Sequence, residues 1–197
     1  MNRWTSLIRV AEKLLSPEGC PWDREQTLTT LQPYLLEECH ELLEAIDLND
    51  PVKIEEELGD VLYALVFIGK LAEREGLFTL DEAILAVEEK LVRRHPHVFD
   101  NQKIESVEEN WEKIKKQEGK KHPLDGIAPS LPALSRAQKV AHKLKRAGEI
   151  PSVKGSFEKE EAGRRLWELV SEIEEMGVDA ETALRRYTME REKKHRR

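Results

Sequence analysis

The sequence predicts an all-α protein, on the evidence of its composition and of the spacing of its apolar residues. Charged residues make up 36% of the 197 residues and apolar residues 39%, a mixture typical of amphipathic helices. Apolar side chains recur every three or four residues, and the sequence has no stretches of alternating β-branched residues. A length near 200 residues is typical of one domain, or of one domain with an appended segment.

Five helices are predicted before a stretch rich in proline and glycine. They cover residues 4–15, 27–48, 51–75 and 79–95, with a fifth beginning at residue 106. Asp50 can cap the third helix and Pro51 can occupy its first turn, so the second and third helices form an antiparallel hairpin. The fourth and fifth helices each begin with a capping-box pattern. Residues 20–27 are expected to form an ordered loop in which Trp22 helps to close a core or a pocket.

The net charge of −7 disfavours sequence-independent binding to polynucleotides, which usually requires a basic surface. The first residues lack the apolar centre of a signal peptide, and the longest apolar run, 61–69, is too short to span a bilayer. Cys20 and Cys39 form neither a metal-type pair nor a disulfide framework. We therefore expect a cytoplasmic protein without a membrane or polynucleotide partner.

Each helix of the hairpin places two carboxylates on its apolar side. When residues are plotted at 100° intervals, Glu38 falls inside the apolar arc of the second helix and Glu41 lies at its edge. On the third helix Glu57 falls within the arc and Asp60 lies beside it. The neighbouring acids that point elsewhere are Glu37, Glu44, Glu55 and Glu56.

Four carboxylates cannot share a bundle interior without compensation. Two of them ~5 Å apart repel by roughly 3 kcal/mol at an effective dielectric constant of ~20, and six such pairs exceed a domain stability of about 5–15 kcal/mol. Protonation, buried Lys or Arg partners, or a bound cation would resolve the conflict. Oxygen ligands without His or Cys select a hard ion, Mg²⁺ with Mn²⁺ as a substitute. On either helix alone, glutamates with this spacing would usually be interpreted as a solvent-exposed face. That interpretation explains less well why both helices of one hairpin carry such acids on their apolar sides.

A cationic cluster, Lys90, Arg93 and Arg94, ends the fourth helix. Cations there either cap the helix dipole or hold the outer phosphates of a metal-bound nucleotide, if this helix packs beside the hairpin. Trp111 either stacks on a base or anchors the fifth helix. The sequence has no glycine-rich phosphate loop, which excludes a P-loop enzyme.

Four motifs follow one another in a specific order. They are Cys20-Pro21-Trp22-Asp23, Glu37-Glu38-x-x-Glu41, Glu57-Leu58-Gly59-Asp60, and Lys90-x-x-Arg93-Arg94 continued by His95-Pro96-His97-Val98-Phe99. Over residues 1–118 this order resembles the N-terminal domain of MazG nucleoside triphosphate pyrophosphohydrolases, members of the all-α NTP pyrophosphatase superfamily.

The resemblance implies a four-helix-type bundle that works as a homodimer. It also implies an Mg²⁺-dependent enzyme of nucleotide-pool housekeeping, which cleaves nucleoside triphosphates to the monophosphate and pyrophosphate. The positions that match the family's Mg²⁺ ligands are Glu38, Glu41, Glu57 and Asp60. The positions that match its nucleotide contacts are Lys90, Arg93, Arg94 and Trp111. Either Glu37 or Glu38 accepts the proton of the attacking water, and the sequence does not decide between them.

The second half departs from the family pattern. Residues 1–118 are predicted as the catalytic domain, 119–133 as a linker, and 134–197 as a shortened, degenerate MazG-like region. Its helical segments are expected at 134–147, 159–176 and 179–194. Arg164 stands where the family pattern has an aspartate, and no Glu-Glu-x-x-Glu helix is present. We therefore expect no metal site here, and a role in packing or dimerisation.

Two other functions remain open at this point. The chain could be a non-catalytic nucleotide- or metal-binding regulatory module, in which the acids hold Mg²⁺ only for structure. A di-metal carboxylate bundle with redox chemistry would need two inward-facing Glu-x-x-His motifs. The sequence gives little support to this redox function, because Glu37-x-x-His40 points outward and Glu192-x-x-His195 lies in the C-terminal tail.

Overall fold

The computed structural model describes residues 2–100, 103, 106, 110, 114, 118–119, 122–151 and 155–196, and within them it contains helices and no strand. The helices are α1 (Arg3–Leu15), α2 (Pro21–Glu25), α3 (Gln32–Asp47), α4 (Pro51–Arg74), α5 (Leu80–Arg94), α6 (Pro96–Phe99), α7 (Ala133–Arg146), α8 (Lys159–Glu175) and α9 (Ala180–His195). The predicted all-α class is confirmed. The chain divides into two compact units, Met1–Lys103 and Ile104–Arg197.

The α3–α4 hairpin is the centre of the first unit. The Asp50 carboxylate caps α4 by accepting hydrogen bonds from the backbone N–H groups of Val52 (3.1 Å) and Lys53 (3.2 Å), as its position before a proline predicts. α3 begins at Gln32 rather than at residue 27. The reason is a preceding turn in which the Thr30 hydroxyl accepts from the Thr27 N–H at 2.9 Å.

The core of the first unit lies where α3 begins and α4 ends. Its buried residues are Ala11, Leu31, Val66, Phe67 and Leu71. Nearby, the half-buried Lys70 ammonium forms ion pairs with Glu12 of α1 at 2.8 Å and with Glu73 of α4 at 2.7 Å. Ala45, near the other end of α3, is also buried.

α5 begins with the predicted capping box. The Thr79 hydroxyl accepts from the Glu82 N–H at 3.1 Å, while the Glu82 carboxylate accepts from the Thr79 N–H at 2.7 Å. Leu80 follows and packs directly on the backbone of α4 at Gly69. The Leu80 N–H also donates to the Glu73 carboxylate at 2.8 Å. These contacts fix the start of α5 against the C-terminal half of α4.

The segment predicted as an ordered loop contains a short helix, α2. The difference arises because Pro21 occupies its first turn, where proline favours helical geometry, and because the chain around it is tied to α4. The Arg74 guanidinium donates to the backbone carbonyls of Arg24, at 3.0 Å, and of Gln26. Asp23 is buried, and burial, together with the nearby Asp23 and Cys20, raises the pKa of Tyr63 to about 12.

The second unit packs α7 against α9. Buried Leu124, Val140 and Leu144 form its core, and the Arg136 guanidinium pairs with the Glu192 carboxylate at 2.8 Å. The segment predicted as a linker contributes Leu124 to this core, so in the structure it packs as part of the second unit. The three predicted helical segments are found within about one residue of their expected bounds.

The predicted fifth helix falls largely outside the described residues, although Asn110 and Ile114 are helical. The predicted domain boundary at residue 118 therefore stays a prediction. None of the described helices is long and apolar enough to cross a membrane.

Two glycines of α4 test the packing of α5. A Cβ at Gly59 has open space around it, whereas one at Gly69 would lie 2.8 Å from the Leu80 Cδ1 and 3.3 Å from its Cβ. Gly59→Ala should raise the free energy of unfolding by about 1 kcal/mol through helix propensity. The free energy of unfolding of Gly69→Ala should be lower than that of Gly59→Ala by about 1 kcal/mol or more, because Leu80 must shift. Denaturant titration measures both, and equal stabilities would contradict this packing.

Candidate metal and nucleotide site

Three carboxylates from the two helices of the hairpin converge on one point. Glu38 and Glu41 of α3 and Glu57 of α4 each offer an oxygen, and these oxygens lie within 4.8 Å of one another. Glu38 and Glu57 are half-buried, whereas Glu41 is exposed. The spacing follows from helix geometry, since residues three apart share a face, and the antiparallel hairpin brings the two faces together.

Asp60 is the fourth predicted ligand, and it stands close enough to act on both half-buried acids. Its charge is among the causes that raise the pKa of Glu38 and of Glu57. Its own side chain is exposed. The structure thus brings together the four acids that the helical wheels selected, three in direct proximity and one beside them, and their role as metal ligands stays a prediction.

The pKa values of two cluster members are raised. For Glu38 the largest cause is burial, followed by the charges of Asp60, Glu41 and Glu37. For Glu57 the largest cause is again burial, followed by the charges of Glu41, Glu56 and Asp60 and a hydrogen bond with Glu41. Burial and like charges both disfavour the ionised form, so this site favours binding either a proton or a cation.

The cationic cluster lies in the last turns of α5. Lys90 and Arg94 are half-buried and Arg93 is exposed. A contact between α4 and α5 is formed near the other end of α5, where Leu80 meets Gly69. The predicted role of these cations at the phosphates therefore stays a prediction. Trp111 lies outside the described residues, and its predicted contact with the base also stays a prediction.

An aromatic residue on the acidic face of α3 was missed by the sequence reasoning. Tyr34 lies four residues before Glu38, so the two share a helical face. The Tyr34 ring meets that of Trp22 in an edge-to-face contact with 5.6 Å between centroids. The four-residue spacing could have indicated that Tyr34 lies on the same helical face as Glu38. The contact with Trp22 could not have been predicted in this way, because it depends on where α2 packs.

Comparison with known proteins shows to which protein family the chain belongs. The family model of the MazG nucleotide pyrophosphohydrolase domain matches residues 26–99. The nucleoside triphosphate pyrophosphohydrolase/pyrophosphatase MazG of Thermotoga maritima is 41% identical, over 92% of this chain and 80% of that protein. The chain belongs to the MazG family. The resemblance carried by the ordered motifs is confirmed, and the matched residues contain all four acids of the hairpin.

Other MazG relatives agree with this assignment. The nucleoside triphosphate pyrophosphohydrolase of Escherichia coli strain K12 is 42% identical, over 75% of this chain and 59% of that protein. A crystal structure of a MazG-related protein from Thermotoga maritima is 35% identical, with a TM-score of 0.52 over 57% of this chain and 98% of that chain. The chain is therefore an enzyme of the MazG pyrophosphohydrolase class with an all-α fold.

The raised pKa of Glu38 predicts that its charge destabilises the metal-free protein. Because the folded pKa lies above the unfolded one, ionisation weakens folding at neutral pH, and this cost disappears as pH falls below the unfolded value. Glu38→Gln should therefore raise the melting temperature at pH 7 without divalent ions. The gain should stay below about 1 kcal/mol, since the group is half-exposed, and should vanish near pH 4. Thermal unfolding with EDTA, with the exposed Glu44→Gln as control, measures it, and a lower melting temperature for Glu38→Gln would contradict it.

Proposed function

We propose that this protein hydrolyses nucleoside triphosphates to nucleoside monophosphates and pyrophosphate with Mg²⁺ bound at the acidic cluster. The observation that carries the proposal is the convergence of Glu38, Glu41 and Glu57 within 4.8 Å, inside a chain of the MazG family. The names of its relatives in Thermotoga maritima and Escherichia coli support the same reaction. We infer a role in the housekeeping of the cytoplasmic nucleotide pool, where such substrates are present.

The donor set fits a hard divalent cation. Its members are carboxylates without His or Cys, which favours Mg²⁺ or Mn²⁺. Burial and the neighbouring acidic charges raise the pKa of Glu38 and of Glu57, which supports a cation as the partner of the ionised carboxylates. Glu38, Glu41, Glu57 and Asp60 would hold the ion, which when bound neutralises phosphate charge and acidifies water.

The residues of the chain supply positioning and proton transfer. Water attack on the triphosphate forms one P–O bond and breaks the bridge between the α- and β-phosphates, so that pyrophosphate leaves. The proton released by this water passes to Glu38 or to its neighbour Glu37, whose charge is among the causes that raise the pKa of Glu38. Lys90, Arg93 and Arg94 would pair with the phosphate oxygens when substrate is present.

Pyrophosphate release tests the proposed reaction. With Mg²⁺, the wild-type chain should convert nucleoside triphosphates to monophosphate and pyrophosphate in equal amounts. Glu41→Gln should lower kcat/KM by about a hundredfold or more, because a lost charged ligand weakens both the metal site and transition-state stabilisation. The exposed Glu44→Gln is the matched control on the same helix. The proposal fails if orthophosphate is the product, if the wild type leaves every common nucleotide intact, or if Glu41→Gln matches the wild type.

Magnesium affinity separates the two candidate bases. If Glu37 is the base, Glu37→Gln lowers kcat and leaves Mg²⁺ affinity unchanged. If Glu38 serves as both ligand and base, Glu38→Gln lowers kcat and weakens Mg²⁺ binding together, while Glu37→Gln stays close to the wild type. Calorimetric titration with Mg²⁺ beside steady-state kinetics distinguishes the two outcomes.

We also propose that the active protein is a homodimer. Leu58, Leu62 and Leu65 form a stripe along α4, with 47%, 37% and 47% of their surface exposed. Their spacing of four and three residues puts them on one helical face. Leu36 and Leu43 of α3 are more than half exposed as well. A row of exposed leucines on one helical face is typical of an interaction site, and a second copy provides a self-complementary partner.

Mass measurement tests the dimer. The chain of 22.8 kDa should sediment at twice that mass. The double variant Leu62→Lys, Leu65→Lys should shift it to the monomer, because two buried charges oppose association. Leu77→Lys, an equally drastic change at an exposed leucine in the turn between α4 and α5, is the control. A monomeric wild type, or a double variant that remains dimeric, would contradict this interface.

A further inference from the structure

The C-terminal end of α9 is held by hydrogen bonds that centre on His122. Both nitrogens of the His122 ring take part. Nδ1 lies 3.1 Å from the backbone nitrogen of Leu124, and Nε2 lies 2.8 Å from the backbone oxygen of His195. His122 and His195 are 73 positions apart in the chain, so this ring fastens the last turn of α9 to the segment that precedes α7.

The two contacts assign the protonation of the His122 ring. A backbone N–H can only donate, so the Leu124 N–H requires a lone pair on Nδ1. A backbone carbonyl can only accept, so the His195 carbonyl requires a hydrogen on Nε2. The neutral ring with its hydrogen on Nε2 satisfies both partners. Its contact with the N–H two residues later has the same pattern as an Asx turn, in which an Asn or Asp side chain is the acceptor.

A second proton on the His122 ring would break this arrangement. It would lie on Nδ1 and face the Leu124 N–H, so that two donors would oppose each other and the N–H would lose its acceptor. Leu124 is 1% exposed and belongs to the core of the second unit. An unsatisfied donor in such a place is costly, so the bound form of the ring is the neutral one.

The charged groups near His122 belong to its own segment, to α7 and to α9. The Asp125 carboxylate accepts from the His122 backbone N–H at 2.9 Å and pairs with Arg196 at 2.9 Å. The Lys143 ammonium of α7 donates to the backbone carbonyls of Pro123 at 3.0 Å and of Asp125 at 2.7 Å. These two cations offset the single carboxylate, which therefore gives little support to a protonated ring.

His195 responds to acid in the opposite sense. Its Nδ1 lies 2.7 Å from the Glu149 carboxylate, which can only accept, so neutral His195 carries its hydrogen on Nδ1. Protonation would turn this contact into an ion pair, although the buried Nε2 has no hydrogen-bond partner among the described residues. A proton on His195 thus strengthens its contact with Glu149, whereas a proton on His122 removes the contact with Leu124.

We propose that His122 is a pH-sensitive latch of the second unit, closed when the ring is neutral and released when the ring takes up a proton. An unperturbed histidine titrates at about pH 6.5, so the latch works within the physiological range. Because the unfolded chain accepts this proton and the closed latch does not, the latch stabilises the unit above this pH and loses its effect below it. All of its groups lie in the second unit, so it is independent of the proposed reaction.

Site-resolved hydrogen exchange of the full chain tests the latch at about pH 7.5 and at about pH 5.5, between which an unperturbed histidine titrates and unperturbed carboxylates stay ionised. The protection factors of the Leu124 N–H and of the last turn of α9 should fall by about tenfold at the lower pH, the change expected for one hydrogen bond. His122→Asn keeps an acceptor for the Leu124 N–H but cannot take up a proton, so this loss should disappear. His142→Asn, which removes an exposed histidine of α7, is the matched control and should behave like the wild type.

Nitrogen NMR of the histidine rings adds a test that needs no variant. The His122 ring should carry its hydrogen on Nε2 at the higher pH, and its protonation should coincide with the loss of protection. Glu149→Gln removes the acidic partner of His195 and should leave that loss in place.

Three results would overturn the latch. One is a His122 ring with its hydrogen on Nδ1 at the higher pH. Another is an equal loss of protection in the wild type and in His122→Asn. The third is a loss that Glu149→Gln abolishes, because it would assign the pH response to His195.

Discussion

Electrostatic repulsion within the α3–α4 hairpin is the constraint on which the rest of the first unit depends. Glu38, Glu41 and Glu57 point their carboxylates at one small volume, and burial with mutual repulsion raises the pKa of two of them. Such an arrangement disfavours ionisation of the carboxylates, and a bound cation would attract each of them and offset their repulsion. The proposed metal binding depends on this concentration of like charge, because carboxylates paired with Lys or Arg would have little affinity for a metal.

The surrounding structure keeps the hairpin from opening. Leu31 and Phe67 are buried near one end of the hairpin, and Ala45 is buried near the other. The ion pairs of Lys70 tie α1 to α4, and Leu80 seats α5 on Gly69. These packing contacts and ion pairs are made by residues other than the four acids of the cluster.

Sequence patterns predicted the features that depend on neighbours along the chain. The caps of α4 and α5, the hairpin and the inward acids follow from spacing and residue type, because each involves residues within a turn or two. The edge-to-face contact of Trp22 with Tyr34 was not predicted, since it depends on Arg74 holding a segment about fifty residues away in sequence. The short helix α2 was missed for a similar reason, because five residues carry little periodic signal. The ordered motifs identified the family, which local physical reasoning alone could not have done.

The location of the bound metal tests this account most directly. Crystals of the full chain grown with Mn²⁺ and a non-hydrolysable nucleoside triphosphate would reveal the ion by its anomalous scattering. We predict a peak among the carboxylate oxygens of Glu38, Glu41, Glu57 and Asp60, bridged to the phosphates. A nucleotide bound elsewhere, or a metal held by the phosphates without these carboxylates, would contradict the central role of the acidic hairpin.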